Sequence, residues 1–329
     1  MLNHRLYLNQ RLFDSSVEQQ PSRDGFGDGL VELGRKNPHV VALCADLVES
    51  TRVEPFARHF PDRFFEVGVA EQNMAAVAAG LGVSGKIPFI ASYATFSPGR
   101  NWEQIRTTIS YNNSNVKIAG HHAGISVGPD GATHQALEDI ATMRVMANMT
   151  VIVPVDAHQA RLATLSAAHI WGPVYLRFTR EKTPIITTLK TPFVPGHAQV
   201  LWETTAPKVL FVGCGPIVYH ALLAARELYK QKIGSVVLNM HTVKPLDQKT
   251  LVAYAKKIGC VVTVEEHQII GGLGGAVAEC LSRYTPTPQE FIGMQDTFGE
   301  SGTPYDLLKK YHMDVFDIVA AAKRAIKRA

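Results

Sequence analysis

Cysteine is scarce in this 329-residue chain. There are four, Cys44, Cys214, Cys260 and Cys280, far apart and without a CxxC pair. That spacing argues against a disulfide framework or a zinc site and for buried free thiols in a reducing cytoplasm. An excess of one charge is also lacking. Lysine and arginine number 33 against 29 acids, a formal net charge of +4, which gives no case for nucleic acid. No apolar run is long enough to cross a membrane. The opening residues, MLNHRLYLNQRLFDSS, hold no apolar core of the signal-peptide kind. What is plentiful is hydrophobic: 46% of residues, against 19% charged, so large cores are expected and disorder is not.

Length points to two domains. Residues 1–21 read as a polar arm. From residue 22, helical and strand patterns alternate: a helix to Gly34, the strand VVALCAD at 40–46, a strand-to-helix junction at Glu71, and the strand IPFIAS at 87–92. A helix over 102–111 and the strand VKIAGHH at 116–122 come next. A glycine-rich loop enters a helix at Gln135, and MTVIVPV, a helix over 157–169 and PVYLRFT complete the first unit. Residues 181–206 carry three prolines and read as a linker with an edge segment. A second α/β unit follows. The expected organisation is a first domain over 22–185, a linker over 186–206 and a second domain over 207–329, each built on a parallel sheet. Gly213-Cys214-Gly215 opens like a dinucleotide fingerprint, but the third glycine and the closing acid are missing.

The densest chemical signal is RFFEVGVAEQNM at 63–74. It reads as a buried strand, with Phe64, Phe65, Val67 and Val69, running into a helix that begins at Glu71. The next turns are small and apolar, so another backbone can approach closely. A carboxylate desolvated there favours its neutral form, suited to hydrogen bonding a ring nitrogen. An ordinary helix-start glutamate is the plainer reading.

That segment resembles the thiamine-diphosphate-dependent transketolases. The resemblance continues through SRDGFGDGL (22–30), CADLVEST (44–51), SYATFSPGR (92–100), GPDGATHQ (128–135) and VEEHQIIGGLGGAVAE (264–279). It implies a pyrimidine-binding domain followed by the transketolase C-terminal domain. The family's third region, which binds diphosphate and metal, is not matched. Gly27-Asp28-Gly29 lies inside a helical pattern without a downstream asparagine, and reads as a packing face. The resemblance therefore implies a split enzyme. A partner N-terminal subunit would bring the diphosphate-binding domain and most of the Mg²⁺ (or Ca²⁺) site, and no metal is expected on this chain.

By the same resemblance, Glu71 contacts N1′ of the cofactor's aminopyrimidine, Phe96 stacks on that ring and Trp102 lines the pocket. Asp130 and His134 face the sugar hydroxyls near the reacting carbon, where a histidine trades protons at neutral pH. Arg23, Ser50, His122 and Arg180 match positions that grip the sugar phosphate, and arginine forks suit that anion. Family members often carry Asp after the histidine of that segment; here it is Ala123. Glu265, Glu266 and His267 are neighbours on one strand end and read as structural.

The implied activity is transfer of a two-carbon ketol unit from a ketose phosphate to an aldose phosphate. The implied assembly is a cytoplasmic heterotetramer in which this chain self-associates as a dimer. The alternatives are a subunit like the 2-oxo-acid dehydrogenase E1 β chain, one like 1-deoxy-D-xylulose-5-phosphate synthase, or a non-catalytic binding protein. GPDGATHQ weighs against the first, VEEHQIIGGLGG against the second, and retention of Glu71, Asp130 and His134 against the third.

Overall fold

The alternating pattern yields two mostly parallel sheets. The computed structural model describes residues 1–329. Its first sheet has seven strands, in the order Thr242–Lys244, Thr150–Ile152, Val174–Arg177, Lys117–His121, Ile87–Tyr93, Val40–Cys44 and Phe64–Glu66. All neighbours are parallel except Thr242–Lys244, which runs antiparallel to Thr150–Ile152. The central strands read as unbroken apolar runs because both faces are covered. Alternate residues feed different cores: Val41 and Leu43 join one cluster, Val40 and Ala42 another.

The second sheet has five strands, in the order Gln289–Met294, Val261–Gln268, Pro207–Gly213, Gly234–Asn239 and Gln199–Glu203. Gln199–Glu203, within the stretch read as a linker, is the antiparallel edge. Helices Ser22–Lys36 and Ala157–Ala167 pack closely against each other over one face of the first sheet. A Cβ on Gly25 would collide with the Ala157 carbonyl oxygen, so only glycine permits that approach.

Three expectations need correction, and three elements are new. The strand Phe64–Glu66 is not buried: it is the outermost of its sheet, with a neighbour on one side only, leaving Phe65 39% and Val69 69% exposed. The helix expected at Gln135 begins at Asp139. The arm is not merely polar. Leu8 and Leu12 are buried in the core of the second unit, Asn3 donates to the Leu201 carbonyl at 3.0 Å, and Gln19–Pro21 pairs with Lys182–Pro184. The strands Thr242–Lys244 and Gln289–Met294 and the helix Pro304–Lys310 have no counterpart in the sequence reading.

The two units share more than a linker. Thr242–Lys244 follows the second sheet's Gly234–Asn239 in sequence yet extends the first sheet. Between the units lies a buried ion pair. Arg177 Nε donates to Asp139 Oδ2 at 2.7 Å, Tyr175 Oη donates to the same oxygen at 2.6 Å, and Arg177 reaches the Glu266 carbonyl at 2.8 Å. Burial pushes the Asp139 carboxyl up, but the Arg177 charge and these hydrogen bonds hold it below its ordinary value. Every polar group there is answered, which is what makes a buried pair tolerable. All four cysteines are buried and free.

Candidate active site

Parallel α/β sheets build their sites beyond the carboxyl ends of the strands, and the singled-out residues gather there. His122 follows the strand Lys117–His121, and Phe96 lies in the turn after Ile87–Tyr93. Arg180 comes after Val174–Arg177 and Ser50 after Val40–Cys44. Arg23 lies in the first turn of Ser22–Lys36, and Glu71 is the first residue of Glu71–Val83.

At one end of the site the Glu71 side chain is 1% exposed. Its Oε2 accepts from Arg100 at 2.7 Å, while the Asn101 amide donates to its backbone carbonyl at 3.1 Å. The Arg100 guanidinium also lies 4.5 Å from the centre of the Phe96 ring. A buried carboxylate and an aromatic face thus converge on one flat, N–H-bearing group. That donor set fits an aminopyrimidine, which is also flat and nitrogen-rich.

At the other end is an anion-binding corner. Arg23 donates to the Ser50 carbonyl at 3.0 Å, and Arg180 donates to Asp130 at 2.9 Å and to the Val127 carbonyl at 3.2 Å. Burial, then the charges of Arg52 and Arg180, pulls Arg23 below its ordinary value. His122 is pushed down to about 3 by burial first and then by Arg23, Arg180 and His134, so it is a neutral imidazole. Its Nδ1 and the Arg23 Nε are buried without a hydrogen-bond partner. Unpartnered buried polar atoms of this kind call for a ligand or water.

Tyr93 joins the two ends. Its ring stacks on His122 at 3.8 Å and on Phe96 at 5.7 Å, and His134 meets both Phe96 and Tyr93 edge-on, at 5.5 and 5.9 Å. His134 Nδ1 sits 2.9 Å from the Thr133 hydroxyl. Asp130 and Arg180, expected in separate roles, are paired with each other. Trp102 is not brought into this cluster. Its indole donates to the Thr142 carbonyl at 3.2 Å and lines a separate cavity of about 320 Å³ with Arg106, Tyr111 and Val145. Sequence reasoning does not single out Tyr93, Arg100 or Arg52; the first two stand in SYATFSPGR, where only Phe96 is assigned a role.

The second unit holds the loop that carries Asp130 and His134. Glu266 Oε2 accepts the Ser126 amide at 3.1 Å, and the Gln135 amide donates to the Glu300 carbonyl at 3.0 Å. Gly124, at φ +92°, lies so close that a Cβ would fall 2.7 Å from Glu266 Oε2. Glu265 instead accepts the Leu273 and Gly274 amides at 2.7 Å, capping the following helix.

Buried neutral imidazoles make stability depend on pH. His121, His122 and His241 are all held below the ordinary value of 6.5, chiefly by burial. The unfolded chain takes up protons near pH 6.5 and the fold does not, so their contribution is present above that pH and lost below it. Each costs about 1.4 kcal/mol per pH unit once protonation begins. The buried Glu265 and Glu266, raised by burial, oppose this as pH falls through their raised values. Urea denaturation of the isolated chain at pH 7.5, 6.5 and 5.5 is expected to show a falling midpoint; a flat profile would contradict neutral burial.

Two domain families match the chain: "Transketolase, pyrimidine binding domain" over 18–185 and "Transketolase, C-terminal domain" over 196–318. Fold and site thus define a chain carrying those two domains in that order. It belongs to the transketolase family. It is 40% identical to the 6-deoxy-6-sulfo-D-fructose transketolase subunit SqwH of Clostridium sp., over 96% of this chain and 98% of that one. It is 35% identical to an apulose-4-phosphate transketolase subunit of Phocaeicola vulgatus, over 93% and 97%. A solved structure of a split gene transketolase, described as an inactive β4 tetramer, superposes with a TM-score of 0.87 at 47% identity, covering 93% of this chain and 98% of that one. In length and course the chain is thus similar to subunits of split transketolases. No helix is long and apolar enough to cross a membrane.

Proposed function

We propose that this chain is the C-terminal subunit of a split transketolase that moves a two-carbon ketol unit from a ketose phosphate to an aldose phosphate. The observation that carries the reading is the convergence of buried Glu71 and the Phe96 face on one flat nitrogen group, with the unpartnered His122 Nδ1 and Arg23 Nε in the same cleft. Thiamine diphosphate, when bound, supplies the electron sink for carbon–carbon cleavage. The chain's residues do the rest. Glu71 holds a proton against ring nitrogen N1′, and Phe96 offers its face for stacking. His134 trades a proton with a sugar hydroxyl, and Asp130 accepts from one. Arg23, Ser50, His122 and Arg180 fasten the terminal anion, His122 as a neutral donor.

A sugar phosphate entering the anion corner would draw Arg180 away from Asp130 and free that carboxylate for the sugar. Guanidinium forks suit sulfonate as well as phosphate, and one relative is named for a sulfonated sugar. A partner subunit would bring the diphosphate-binding domain and the Mg²⁺ (or Ca²⁺) site. We place the assembly in the cytoplasm as two copies of each subunit. The exposed outer face of Glu71–Val83, with Ala76, Val77 and Gly80, supports a docked partner.

Purified alone with thiamine diphosphate and Mg²⁺, the chain is expected not to cleave xylulose 5-phosphate. Addition of a diphosphate-domain subunit should start turnover, with light scattering giving two copies of each chain. Robust turnover by the lone chain would overturn the split assignment.

A further inference from the structure

We propose that Arg100 is a displaceable placeholder, occupying the aminopyrimidine seat in the unloaded subunit and having to swing out before cofactor enters. The inference rests on the reading of Glu71 and Phe96 given above. One side chain satisfies both halves of that seat: it donates to Glu71 at 2.7 Å and lies over the Phe96 ring at 4.5 Å. Guanidinium and aminopyrimidine share a flat N–C–N array, able to stack on an aromatic face while one edge nitrogen shares a proton with the carboxyl group. The two cannot hold the same face and the same oxygen together.

The partners of this contact are unequal. Glu71 is 1% exposed and fixed at the start of its helix, whereas the Arg100 side chain is 47% exposed. No other hydrogen bond of the Arg100 guanidinium is present, so leaving costs it only this pair and the ring contact. Glu71 without Arg100 would be a buried carboxylate with no partner for its side chain. The arginine therefore answers that charge until the cofactor ring takes over. Cofactor binding must draw on the fraction of subunits with Arg100 out, which lowers the apparent affinity by that fraction.

The test is a calorimetric titration of thiamine diphosphate, with Mg²⁺ present, into the reconstituted two-subunit complex. Arg100→Met keeps length and bulk but removes charge and donors, and is expected to tighten apparent affinity at least about fivefold. Arg100→Lys, lacking the flat fork, should fall between Arg100→Met and the native chain. The unloaded Arg100→Met subunit should also melt at a lower temperature, because the buried Glu71 carboxylate has then lost its ion-pair partner. Unchanged or weaker cofactor affinity in Arg100→Met would overturn the placeholder. Glu71→Ala, which removes every side-chain contact to the ring, separates the two readings in the same titration. If it leaves affinity untouched, the assignment of the seat itself fails; if it weakens affinity while Arg100→Met does not strengthen it, only the placeholder fails.

Discussion

Glu71→Gln is expected to reduce turnover of the assembled enzyme by a factor on the order of 10²–10⁴, the usual worth of a positioned proton-transfer group. The amide matches the carboxylate in size and can still meet Asn101 through its backbone, so folding and assembly should survive. What it cannot do is transfer a proton to N1′ and take it back, since an amide N–H donates a hydrogen bond but is not acidic. The decisive measurement is the rate of cofactor C2 proton exchange in the complex, followed by NMR after quenching. Exchange at the native rate would remove Glu71 from its role, whatever happened to turnover. Loss of pair formation by light scattering would point to a structural effect instead, so both are measured on the same preparation.

Arg180→Ala carries the second-largest expectation. Its guanidinium now bridges Asp130 and the Val127 carbonyl, beside a neutral His122. With a sugar phosphate bound, that fork would turn to the anion. Losing a charged hydrogen bond costs about 1.5–3 kcal/mol, or roughly 10- to 150-fold. The loss should fall on KM for ribose 5-phosphate and leave a phosphate-free acceptor within a few-fold of the native value. Equal losses on both acceptors would take Arg180 out of the anion corner. The same pair of assays with a sulfonated sugar separates phosphate from sulfonate preference.

The ends of the apolar runs are readable because a parallel sheet exposes its loops at one edge. Ser50, Phe96, His122 and Arg180 each follow such a run, and each lies at that edge. Helix starts are less readable. Gln135 follows a turn signal and reads as a natural beginning, but its amide is spent on the Gly128 and Glu300 carbonyls, and the helix waits until Asp139. Phe64 and Phe65 read as core residues. Hydrophobicity alone cannot tell a central strand from an edge strand, since that depends on how many neighbours the sheet supplies.

Local pattern by itself determined the α/β class, two units with parallel sheets, and that Ser50, Phe96, His122 and Arg180 follow strand ends; the family resemblance, not the pattern, singled them out as site residues. The pattern could do so much because periodicity and strand length are properties of short windows. Only the tertiary structure decided which side chains meet. Arg100 and Glu71 are 29 residues apart, Asp130 and Arg180 are 50 apart, and Glu266 reaches Ser126 across 140. The placing of Thr242–Lys244 on the first sheet also belongs there. Such pairings depend on the crossing of whole elements and on which polar groups burial leaves unanswered. No window of sequence contains that information.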